Sequence, residues 1–248
     1  MNKFLIFSVI VFFNFCFAQN ENYNIEIEYD FITNSGDKNE MKSSLFLSKD
    51  KSFFEYQSIQ KNIINKEKTD VEGNTSVYIS DTNKYYVSMN ISDSLLLENQ
   101  MSLENKIFDI KEKMPKIEWV LVNETKIINN YFCSKATTKF RGRYYTAWYT
   151  TDIQTIFGPW KFNGLPGLIL EISDRKKEVL INVKIIKTVN NRLTLPNIKI
   201  EKRLDRLTFI ELNNKILDDQ MKTLYSQFDR DVKVTIESKY SNFLELNE

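Results

Sequence analysis

The residues of this chain best suited to chemistry are charged groups in unusual surroundings. Arg141 and Arg143 flank Gly142 in a short turn pattern. Two guanidinium groups on one turn can grip a carboxylate or a phosphate through paired hydrogen bonds. The plainer alternatives are turn arginines in water or a partner for Glu171. Glu171 lies in the run Leu168-Ile169-Leu170-Glu171-Ile172, where a covered carboxylate needs a cation such as Arg143 or Lys161. Asp152, Asp174, Glu118 and Glu171 could be drawn into a glycosidase pair, but nothing in their spacing sets the separation that chemistry requires. There is no histidine, which excludes Ser-His-Asp and Cys-His catalysis in their usual forms and every imidazole-held metal. No phosphate-binding glycine loop, thiol-pair motif or calcium loop is present. The expectation is a chain with no catalytic residue, no metal and no cofactor.

Aromatic groups make a second set. Tyr144, Tyr145, Trp148 and Tyr149 give one strand rings on both faces, and the second row points to a covered face, a partner or an apolar ligand. Core packing is the simpler reading of the same rows.

These groups must be placed by the backbone, and the backbone is forced at one stretch. Of six glycines and four prolines, Gly158, Pro159, Gly164, Pro166 and Gly167 fall between Phe157 and Glu171. Glycine permits positive φ and proline fixes it, so this is a corner of tight turns. Phe157, Trp160 and Phe162 lie between the bends, and such rings fill the space that bends open. Trp160, if exposed, would make the corner a contact patch, with Lys161 beside it. Gly164-Leu165-Pro166-Gly167-Leu168-Ile169 resembles the signature of the GLPGLI family. Tyr131-Phe132-Cys133-Ser134-Lys135-Ala136, Phe140-Arg141-Gly142-Arg143, Ala147-Trp148-Tyr149-Thr150 and Gly158-Pro159-Trp160-Lys161-Phe162 are similar to its flanks. The resemblance implies an exported protein of the Bacteroidota with a β-rich fold, and it implies no reaction.

The N-terminus fits that compartment. Lys3, the apolar run Phe4 to Phe13 and Cys16-Phe17-Ala18 ahead of Gln19 read as a signal peptide over residues 1–18, with one β-rich domain over 19–248. The run is too short for a membrane span, so none is expected in the mature chain. Cleavage leaves 33 basic against 33 acidic side chains, and a neutral chain suits neither nucleic acid nor anionic lipid. It also leaves Cys133 alone, without an intramolecular disulfide partner. The expected location is periplasmic, outer-membrane-associated or secreted.

Tyr23 to Phe31 alternates apolar and polar residues strictly, as a strand covering a core on one side does. Hairpins are expected at 43–47 with 52–56, 77–79 with 84–89, 117–121 with 125–128, 133–140 with 144–150, and 168–172 with 179–186. Residues 58–75 read as a loop, and Leu95-Leu96-Leu97 fits a helix or a strand. From 206 to 228, Leu207, Ile210, Leu217, Met221, Leu224 and Phe228 recur at helical spacing, with a capping-box spacing from Thr208 to Glu211. A short strand at 232–236 ends the pattern. The fold class is mainly β: one large curved antiparallel sheet or partial barrel of roughly ten strands, with a C-terminal amphipathic helix packed on it. Such a shape suits a non-enzymatic carrier of an apolar small molecule, or an accessory that contacts an envelope protein through the 157–171 corner.

Overall fold

The structure is a computed structural model, and it describes residues 21–34, 38–59, 66–69, 75–78, 83–193, 198–226 and 244–245. The signal peptide expected over 1–18 and the strand expected at 232–236 lie outside these residues. In chain order the strands are β1 (Glu21–Asn34), β2 (Lys38–Leu47), β3 (Lys51–Ser58), β4 (Lys66–Thr69), β5 (Thr75–Tyr78), β6 (Lys84–Asn90) and β7 (Leu95–Met101). They continue with β8 (Ile107–Lys113), β9 (Val120–Ile128), β10 (Tyr131–Phe140), β11 (Arg143–Thr150), β12 (Leu168–Asp174), β13 (Val179–Leu193) and β14 (Arg203–Asp205), before the helix α1 (Arg206–Tyr225). Twelve strands form one sheet in the order β14-β8-β7-β6-β3-β2-β1-β13-β12-β11-β10-β9, and β4 pairs with β5 separately.

The alternation of β1 works as its pattern requires. Ile27, Tyr29 and Phe31 are buried, while Glu28 and Asp30 turn outward to Lys187 and Lys184 across the β1–β13 pairing. Tyr29 also donates its hydroxyl to the Ile169 carbonyl at 2.8 Å, tying the sheet centre to the corner.

The sheet is open but strongly curled. Glu112 on β8 and Arg141 in the β10–β11 turn belong to strands eight places apart in the order, which a flat sheet would hold roughly 38 Å apart. Their side chains meet at 2.6 Å. Curling brings the two halves face to face around a single large core that includes Phe54, Val87, Tyr145, Phe162 and Leu168. No helix among the described residues is long and apolar enough to cross a membrane.

Several local expectations are corrected. The 58–75 loop contains β4, which pairs with β5, so Val77 belongs to that small ribbon while β6 pairs with β3 and β7. Residues 117–121 and 125–128 are not two strands: Val120–Ile128 is continuous, with a register shift opposite Ser134 and Lys135 that absorbs Asn123 and Glu124. Leu95–Leu97 is strand, and β8 is an element that the alternation did not announce. The sheet is antiparallel except at β14, which lies parallel to β8. The helix forms, but its phase differs. Among the side chains described, Phe209, Asn213 and Ile216 are buried, Leu207 is exposed, and Phe209 packs on Phe108 of β8 at 5.8 Å between ring centres. Its N-cap is Asp205, which accepts the Thr208 amide at 2.9 Å and so takes the role expected of Thr208.

Candidate functional site

The corner between β11 and β12 is built as its glycines and prolines require. Phe157 and Asn163 form an isolated bridge, Gly158 N–H donates to the Phe162 carbonyl at 2.8 Å, and Phe162 N–H donates to that of Pro159 at 3.2 Å. Trp160 sits at the tip with φ of 53°, left-handed backbone that costs an L-residue about 1–2 kcal/mol. Burial of the indole offsets that cost. Trp160 is 2% exposed, with Phe162 and Phe140 at 5.3 and 5.9 Å in edge-on contacts. The exposed contact patch expected at Trp160 is therefore corrected: the tip folds inward against the sheet. Gly167 cannot be replaced without movement, since a Cβ there would lie 2.0 Å from the Thr150 carbonyl oxygen. Leu165, Leu168 and Ile169 fill the core beneath, and Pro159 is buried while Pro166 faces solvent.

Turning Trp160 inward carries Lys161 with it, to 0% exposure. A buried ammonium is tolerated only when it is paired and hydrogen-bonded. Lys161 Nζ donates to Glu98 Oε1 at 2.6 Å, to Glu112 Oε1 at 3.2 Å and to Glu245 Oε1. Arg141 Nη2 holds the other oxygen of Glu112 at 2.6 Å, and Arg206 holds Glu245 Oε2 through Nε and Nη2 at 3.1 and 3.0 Å. Gln100 donates to Glu98 Oε1 at 2.7 Å. Three carboxylates thus face three cations. The carboxylate oxygens lie within 4.8 Å of one another, a spacing a divalent cation could use, but the Lys161 ammonium is bonded to all three residues.

Burial shapes the protonation of this cluster. It pushes the Glu98 carboxyl up to about 7, against the pull of Lys161. Burial would also raise Glu245, but Lys161, Arg141 and Arg206 outweigh it and hold that carboxyl at about 2. For Lys161 burial opposes the charge, and the carboxylates of Glu98, Glu245 and Glu112 overcome it, so its pKa is raised.

The remaining residues singled out from the sequence separate into two faces. Arg143 is buried and bonds Asp174 Oδ2 at 2.8 Å and Glu178 Oε2 at 2.6 Å. It pairs neither with Glu171 nor, as a clamp with Arg141, around one anion. Glu171 takes Lys126 at 2.6 Å, not Arg143 or Lys161. The reason is strand alternation: Leu170 and Ile172 face the core, so Glu171 faces out, opposite Trp148. Lys126 Nζ also lies 4.4 Å from the Trp148 ring centre. Tyr145 and Tyr149 are core residues, whereas Tyr144 is exposed and Trp148 half-buried. Cys133 is buried, and burial raises its thiol pKa.

One exposed feature breaks the pattern. Leu121, Ile127 and Phe132 are 63%, 73% and 61% exposed; Leu121 lies opposite the buried Ala136, while Phe132 and Ile127 alternate with Tyr131, Cys133 and Ile128, which pack on the core. Phe132 and Ile127 face each other across the β9–β10 hairpin, which runs beyond the last β11 pairing at Ser134. β9 is the last strand of the sheet among the described residues.

Sequence reasoning missed Glu98, Glu112, Arg206 and Glu245. The one local signal was Lys161 itself, a charge between Trp160 and Phe162 that demands distant anions. Those anions lie 63, 49 and 84 positions away.

A family profile described as the N-glycanase peptide, N-terminal domain, matches residues 45–211. No curated protein sequence matches the chain. Among solved structures, PNGF-II in the P21 and C2 space groups is similar, with 18% and 17% identity and a TM-score of 0.51 in each case. Each match covers 78% of this chain and 33% of PNGF-II, so the chain spans about a third of that protein's length. At this identity the likeness is one of fold.

Proposed function

We propose, from the premise that the chain belongs to the N-glycanase peptide N-terminal domain family, that it is an exported, non-catalytic accessory that holds a second protein body. The partner would be, by the family's name, a protein of N-glycanase type. The observation that carries this reading is the group Leu121, Ile127 and Phe132, large apolar side chains exposed together along the edge hairpin. Exposed apolar side chains on a rigid sheet margin are what a partner buries. The corner serves the fold in this reading, and the hairpin makes the contact.

An enclosed apolar ligand is less favoured. Ile27, Tyr29, Phe31, Phe54 and Leu168 occupy the inner face and pack on one another. A carrier keeps that space for its cargo.

Photocrosslinking in the exporting host tests the reading. A crosslinking residue at Phe132 is expected to join one N-glycanase-type protein, identified by mass spectrometry, while the same residue at Lys139 does not. Ile127→Glu should abolish the adduct without changing the melting temperature. No specific adduct at Phe132, or one that survives Ile127→Glu, overturns the assignment.

A further inference from the structure

The cluster around Lys161 has one member unlike the rest. Glu98, Glu112, Arg141, Lys161 and Arg206 belong to the sheet, its turns and the start of α1. Glu245 arrives from the end of the sequence, with Leu244 beside it. Leu244 is buried in the main core, and Glu245 is 5% exposed. The carboxylate is received from two sides, Oε1 by Lys161 and Oε2 by the fork of Arg206. Arg141 Nε stands 3.7 Å from Oε1.

Without that carboxylate, Lys161 and Arg141 keep Glu98 and Glu112, and Arg206 keeps no carboxylate partner given among the described residues, an excess of positive charge. The pocket also holds more donors than Glu245 uses. Arg141 Nε is buried and has no hydrogen-bond partner among the described residues, and such a group marks a site with unspent capacity. An apolar side chain in a core pocket beside a carboxylate in an arginine fork is the geometry of peptide capture.

We propose that Lys161, Arg141 and Arg206 form a recognition site for an acidic peptide of Leu-Glu type, and that Leu244–Glu245 is its tethered occupant. Because Leu244–Glu245 is covalently part of the chain, it competes intramolecularly and masks the site from a free competitor until it is displaced.

The probe is a synthetic peptide of residues 241–248, titrated by calorimetry into full-length wild type and into full-length Glu245→Ala. The variant is expected to bind it saturably and at least tenfold more tightly than wild type. The same peptide carrying Glu245→Gln should not bind. A folded variant that ignores the peptide, or equal binding by wild type and variant, overturns the proposal.

A second form decides the matter if Glu245→Ala does not fold. A protease site is inserted between Arg230 and Asp231 of the full chain and cut after folding. The freed tail should stay with the body through gel filtration and leave in excess peptide. A tail lost on the first pass, or never displaced, counts against an exchangeable occupant. Sedimentation assigns its source: a monomer means the chain fills its own pocket, and a dimer that dissociates on Glu245→Ala means a second copy supplies the tail.

Discussion

The Phe157–Leu168 corner and the tip of the β9–β10 hairpin are both rich in apolar side chains, and they have opposite fates. In the corner, Trp160 and Phe162 are folded under the curl of the sheet and drag a lysine into the core with them. At the hairpin, Ile127 and Phe132 face each other on the side away from the core-packed Tyr131, Cys133 and Ile128, and nothing described covers them. Composition does not separate the two. What separates them is whether the sheet's two halves close over the segment. The corner should therefore answer to measurements of stability, and the hairpin to measurements of association.

The largest effect belongs to Gly167. Gly167→Val should prevent folding, seen as loss of the cooperative thermal transition, because the backbone of Thr150 occupies the space of a side chain. Lys161→Met follows. Stranding Glu98, Glu112 and Glu245 should cost about 3–5 kcal/mol in urea unfolding, the scale for breaking one side of a buried ion pair. A loss near zero would mean that the cluster is wetter than its burial implies. Trp160→Ala should cost about 3–5 kcal/mol, less whatever the relaxed tip recovers; the same melt at wild-type stability would return the indole to the role of a contact residue.

Smaller and more diagnostic is the pH profile. Glu245 is lowered to about 2 from 4.5, so its contribution is complete above pH 4.5 and is lost as the pH falls toward 2. Glu98 is raised to about 7, so its contribution is complete below pH 4.5 and is lost as the pH rises through 7. The cluster should therefore stabilise most near pH 4.5. Urea midpoints of Glu98→Gln should lose the decline between pH 4.5 and 7, and an unchanged decline would assign it elsewhere. The smallest effect should be that of Phe132→Glu on folding, within about 0.5 kcal/mol as for an exposed position.

The sequence made some of this legible and hid the rest for identifiable reasons. Alternation in Tyr23 to Phe31 and the turn at Arg141-Gly142 report on neighbours, so β1 and the β10–β11 hairpin could be read directly. The glycine and proline density announced a corner. It did not announce which way the tip faced, because that depends on Phe140 from another hairpin. The helix was readable in period but not in phase: its buried face includes Asn213, held by donating to the Phe209 carbonyl and accepting the Leu103 amide, while Leu207 is left outside. Glu171 misled because its apolar neighbours suggested burial, whereas alternation sends it to the outer face with Lys126. The Lys161 cluster was out of reach because its carboxylates come from β7, β8 and the end of the chain, and only curling brings them together.

The position of β1 has a consequence for the order in which the protein can assemble. β1 is the first strand among the described residues, yet it lies mid-sheet between β2 and β13, with Thr33 opposite Val179 and Glu21 opposite Leu193. The hairpin of β1 with β2 can form early. Its other edge stays open until three-quarters of the chain has been supplied, and pairings across such distances make folding slow. The first strand is thus sealed late, after every strand but β14 has been supplied.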